Sequence, residues 1–144
     1  MAQSAKMSPI EVVKRFASLK EMPTLEGRLL DHEARIGAFP GPRNEKGYRA
    51  DSFLERSEIN VAYVGCSWCE GMGVARELIH SEQVSKILSE RTGKSVRSWN
   101  CGLGGTGIDY ITRMAPIICN ALKPDFIVVI FSNGNRRELF LEDG

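Results

Sequence analysis

Residues 59–73 read Ile59-Asn60-Val61-Ala62-Tyr63-Val64-Gly65-Cys66-Ser67-Trp68-Cys69-Glu70-Gly71-Met72-Gly73, and the reading of this stretch decides the fold. Its first six residues are rich in the β-branched and aromatic side chains that suit a pleated strand, and the glycines after them open a loop. Ser81 is placed to cap a helix carrying Val84, Ile87 and Leu88 on one face, stopped by Gly93. A shorter, more polar strand is expected over Ser95–Trp99, followed by the glycine-rich run Asn100–Gly105. Thr106, with Asp109 three residues on, is placed to cap a further helix bearing Ile108, Ile111, Ala115, Ile118 and Leu122 and bent at Pro116. The apolar run Phe126–Phe131 reads as a third strand.

Strands alternating with helices predict an α/β fold with a parallel sheet and right-handed crossovers. The expected arrangement is flavodoxin-like, three-layer α/β/α, with strand order 2-1-3. In such sheets ligands bind beyond the carboxyl ends of the strands. The loops Gly65–Trp68, Asn100–Gly105 and Ser132–Asn135 are therefore where chemistry is expected.

The chain divides into an N-terminal helical arm and loop over 1–57 and the α/β domain over 58–144. In the arm, Ser8-Pro9-Ile10-Glu11 is a capping box, a weaker helical pattern runs through Leu25, Leu29, Leu30 and Ile36, and Ala38–Asn44 is broken by two prolines and a glycine. The third strand is apolar on both faces, as a strand inside a covered sheet should be, and nothing after it pairs with its far edge. The domain is thus expected to be the front part of a five-stranded sheet, incomplete at its C-terminal side. A partner, including a second copy of the chain, or the early N-terminal segment are the other ways to protect that edge.

Among 144 residues, 42% are hydrophobic, enough for a core without metal or disulfide staples. A net charge of +1 with scattered basic residues gives no footprint for nucleic acid. No apolar run is long enough to cross a bilayer and no secretion signal is visible, so a cytoplasmic chain is expected, with Cys66, Cys69, Cys101 and Cys119 as free thiols.

Two chemistries compete at the first loop. Cys66-x-x-Cys69, between a strand and a helix, stands where thiol-redox proteins put their nucleophile. Glu70 beside it opposes a thiolate, and the glycines at 71 and 73 delay any helix. Zinc is less well served: Cys101 and Cys119 make no second close pair, and His32 and His80 lie at no ligand spacing. The alternative is oxygen chemistry. A serine past the first strand, a glycine past the second and an asparagine past the third would supply a nucleophile and two donors for a developing oxyanion.

These residues resemble the SGNH (GDSL-like) hydrolases. The first block of that family, a strand followed by G-D-S and G-x-G, is similar to Val64–Val74, with Cys66 in the aspartate's place. The second resembles Asn100–Thr106, with Gly105 at the N–H donor. The third is partly met by Lys123-Pro124-Asp125 and Phe131–Asn135, where Gly134 falls on the asparagine position between Asn133 and Asn135. A variant branch with G-C-S-[FW], an N-x-x-G-[FY]-R segment like Asn44–Arg49 and an ending like Arg136-Arg137-Glu138 looks similar. The resemblance implies hydrolysis of an ester or acyl group on a small molecule, carbohydrate or lipid. It assigns Ser67 as nucleophile and Gly105 with Asn133 or Asn135 as oxyanion donors, and implies no cofactor.

The family's D-x-x-H, which supplies its base, has no counterpart here, since His32 and His80 are the only histidines. A weak or inactive hydrolase is therefore the expectation, with a non-catalytic SGNH-like interaction domain and a Cys66/Cys69 redox module as the alternatives. Trp68 and Trp99 read as strand-end packing, with Trp68 also able to shape a pocket, and Asn44–Arg49 reads as a fixed loop.

Overall fold

A computed structural model describes Lys20, Met22, residues 43–134 and Arg136. The expected helices of the arm, His32, Asn135, Arg137 and Glu138 lie outside the described residues. Three strands, β1 (Ile59–Gly65), β2 (Val96–Asn100) and β3 (Phe126–Ile130), form a parallel sheet of order β2-β1-β3. Between them run a one-turn helix α1 (Ser67–Glu70), a 3-10 turn (Arg76–Leu78), α2 (His80–Thr92) and α3 (Ile108–Leu122). The α/β class and the 2-1-3 order are as expected.

The side-chain alternation of β1 sorts the two faces of the sheet. Ala62 and Val64 point into the larger core, which gathers Trp99, Tyr110, Ile111, Met114, Ile118 and Leu122 under α3. Met22 of the arm is buried in this core as well. Val61, Tyr63 and Cys69 point the other way, with Leu88 of α2 packed against them. Asp125 fastens the entry of β3 to β1, since its carboxylate accepts the backbone N–H of Asn60 at 2.7 Å and the Asn60 side-chain amide at 3.0 Å. The Pro124-Asp125 pair thus has a structural task at the end of the sheet opposite the strand-end loops.

Several local expectations are corrected. Neither helix is capped by a side chain: Ile79 holds the N-cap of α2 and Gly107 that of α3. Ser81 lies inside α2, and the Thr106 hydroxyl instead donates to the Leu103 carbonyl at 2.6 Å. The buried residues of α2 are Ser81 and Ser85, while Val84 and Ile87 remain in water. The third strand is not covered on both sides, because Phe126, Val128 and the following Phe131 are exposed.

His80, expected in a loop, is the first residue of α2, and its ring meets that of Tyr63 edge-on at 5.3 Å. Burial lowers its pKa from the ordinary 6.5, so the folded state holds the imidazole neutral more strongly than the unfolded chain does. Its contribution to stability is therefore intact above pH 6.5 and is lost as pH falls below that value. Urea unfolding at pH 7.5 and 5.5 is expected to show a larger acid loss in the wild type than in His80→Gln.

Candidate functional site

Three loops leave the carboxyl ends of the strands, and the first is built from beneath. Arg49, 1% exposed, sends its guanidinium under residues 70–74 and donates to the carbonyls of Gly71 at 2.6 Å, Val74 at 2.9 Å and Glu70 at 3.4 Å. A buried carbonyl without a donor is costly, and one planar cation satisfies three here. Arg49 is held in turn by a tight loop. The Asn44 side-chain oxygen accepts the backbone N–H groups of Lys46 at 3.1 Å and Tyr48 at 3.0 Å, and its amide donates to the Asp51 carbonyl at 3.1 Å. This accounts physically for the Asn44–Arg49 pattern, as the fixed loop expected of it.

Glu70 ties the first loop to the second. Its carboxylate, on a residue only 3% exposed, accepts the Gly104 N–H at 2.7 Å and pairs with Arg43 at 3.4 Å. The Leu103 N–H donates to the Gly65 carbonyl at 3.0 Å, and Asn100 donates to the Cys69 carbonyl at 2.7 Å while accepting the Gly102 N–H at 3.0 Å. Gly102 lies so close to the backbone of Cys69 and Glu70 that a β-carbon there would meet the Cys69 carbonyl carbon at 2.7 Å and come nearer still to the Glu70 nitrogen. Arg136, just past the third loop, meets the start of α3: its carbonyl accepts the Ile108 N–H at 3.4 Å and its N–H donates to the Asn133 carbonyl at 3.0 Å.

Ser67 opens α1 with Cys66 as its N-cap and is half-buried. Gly105 sits exposed at the tip of the second loop with φ 79°, a left-handed conformation that a β-carbon would strain. Asn133 is exposed in the third loop. Ser67 also lines a pocket of about 500 Å³ together with Trp68, Met72, Val74, Leu78 and His80. Trp68 is thus a pocket wall, 81% exposed, whereas Trp99 is core at 0%.

Neither cysteine of the pair has the environment of a redox nucleophile. Both are buried, and Cys69 donates its thiol to the Asn100 side-chain oxygen at 3.4 Å. Burial, followed by the neighbouring Cys66 and Glu70, pushes the Cys69 pKa up to about 12, so the thiol stays protonated near neutral pH. Among the described residues no three His, Cys, Asp or Glu side chains gather as a metal site, and no helix is long and apolar enough to cross a membrane. Sequence reading missed Glu70 as a ligand of the second loop. The clue was an acidic residue directly beside a glycine loop, but its partners lie 27 and 34 positions away.

No family model, no curated protein and no solved structure matches this chain.

Arg49→Lys keeps the charge but cannot span three carbonyls, so a loss of about 1–3 kcal/mol is expected in urea unfolding. With the four thiols placed as they are, a native-state disulfide-exchange reagent is expected to modify exposed Cys119 fast and buried Cys66, Cys69 and Cys101 only on unfolding. Rapid native modification of Cys69 would contradict the assigned burial.

Proposed function

We propose that the chain is an SGNH-like serine hydrolase domain acting on an ester or acyl group, with Ser67 as nucleophile. Gly105 contributes a backbone N–H to the oxyanion site, and Asn133 or Asn135 a side-chain amide. The observation that carries this reading is the tying of the strand-end region: Glu70 holds the Gly104 N–H at 2.7 Å, and Arg136, just past the third loop, bonds both Asn133 and the first residue of α3, Ile108. A hydroxyl and two donors can stabilise a tetrahedral oxyanion only if they are fixed beforehand, and shared hydrogen bonds between loops supply that rigidity.

The reaction is a two-step acyl transfer. The Ser67 oxygen bonds to the acyl carbon and the alkoxide leaves carrying the proton the serine lost; water then cleaves the acyl-serine, releasing the acid and restoring the hydroxyl. His80 is the one histidine among the described residues, lines the pocket with Ser67, and has the neutral ring that accepting a proton requires. The family's D-x-x-H is missing from the sequence, so the rate from this chain is expected to be low, supported mainly by the oxyanion donors.

A second reading, a non-catalytic interaction domain of the same build, draws on the uncovered apolar strand β3, where Phe126 is 62% exposed. A fluorophosphonate probe separates the two. The hydrolase reading expects labelling of the wild type and none of Ser67→Ala. Asn133→Ala and Asn135→Ala, made singly, should show which asparagine serves, by a loss of about a hundred- to a thousandfold in labelling rate. A wild type that takes up no probe, or a Ser67→Ala protein that still does, would overturn the assignment.

A further inference from the structure

The pocket beside Ser67 is walled by Trp68, Met72, Val74, Leu78 and Ile79, and none of its lining residues carries a charge at neutral pH, with His80 held neutral by burial. Three of these apolar side chains are left in water: Trp68 is 81% exposed, Leu78 62% and Val74 38%. Apolar side chains clustered on a surface beside a reactive group mark a binding site rather than a folding need. The folding need is met elsewhere, since the loop that carries them is fixed from below by the Arg49 guanidinium and by buried Ile79. The pocket therefore has a rigid floor and an apolar rim that the core does not use.

We propose that this pocket binds an unbranched aliphatic acyl chain of about eight carbons, with its carboxyl end at Ser67. The proposal rests on the reading of Ser67 as nucleophile, which sets the direction of the chain. Uncharged, apolar walls favour a hydrocarbon over a sugar or a phosphate, either of which would lose its water without gaining partners. The volume admits that length: a methylene fills about the volume of a water molecule, roughly 30 Å³, so eight carbons take about half of the 500 Å³. An acetyl group would leave the rim in water.

The test uses the full chain with p-nitrophenyl acetate, butyrate and octanoate. Each methylene moved out of water is worth on the order of a fourfold gain, so the six extra methylenes of octanoate are expected to raise kcat/KM about a thousandfold over acetate. Leu78→Arg, at an exposed position, should collapse the octanoate-to-acetate ratio towards one. A parallel measurement needs no turnover: in Ser67→Ala, sodium octanoate should bind saturably and shift the fluorescence of Trp68, and Trp68→Phe should abolish the shift while buried Trp99 still emits.

Ser67-dependent hydrolysis indifferent to chain length, with no octanoate binding, overturns the acyl pocket and leaves the hydrolase standing. Octanoate binding without any Ser67-dependent hydrolysis keeps the aliphatic site and overturns the hydrolase. Absence of both overturns both.

Discussion

One buried cation shapes the end of the molecule where chemistry is expected. Arg49 comes from the segment before the sheet, yet its guanidinium satisfies carbonyls at 70, 71 and 74, in the turn that follows α1. Without a donor from below, that turn would have to satisfy its carbonyls by helix or by water. Neither would leave Ser67 half-buried with apolar residues turned outward. The neighbouring Arg43–Glu70 pair repeats the logic one step further out, because the same carboxylate that receives Arg43 also receives the Gly104 N–H. Loops from two strands are therefore set by charges supplied from the segment that precedes both.

This arrangement divides the glycine-rich segments by task. Gly102 exists to let two backbones touch, as its packing against Cys69 and Glu70 requires. Gly105, two residues beyond Leu103, is free of such crowding and lies open at the loop tip with its backbone in the left-handed region. The first is a contact that aligns the loops, and the second is a surface that a substrate can approach. Cys69 and Asn100 belong with the first: buried, mutually hydrogen-bonded, and concerned with alignment.

Much of the fold was legible because it rests on local signals. The β-branched runs of β1 and β3, the glycine that ends β1 and the alternation with helices are visible within windows of a dozen residues, and they yield the α/β class. A hydroxyl residue near a helix start resembles a cap in sequence, but Thr106 bonds the Leu103 carbonyl and Ser81 is buried inside α2. The burial of Ser81 and Ser85 with Val84 and Ile87 exposed inverts the periodicity expectation, because packing against the sheet, not the local pattern, decides which face is buried. The three strand-end loops could be located in the sequence, and Ser67, Gly105 and Asn133 do sit in them. What joins those loops could not be read, because Glu70 finds Gly104 34 residues away and Arg49 finds Val74 25 residues away. The pocket was foreshadowed only by Trp68, whose exposure no local pattern encodes.

The sheet's centre is its earliest strand. β1 pairs with both others, and its link to the last, between Asn60 and Asp125, spans 65 residues. On a ribosome, β1 therefore emerges with one of its two hydrogen-bonding edges committed to a partner that has not yet been made, and it waits several seconds for it at ordinary elongation rates. During that interval α2 and β2 can already shelter one edge, while the strand most in need of company stays half-dressed. Until β3 has been made, that edge of β1 has no strand to pair with.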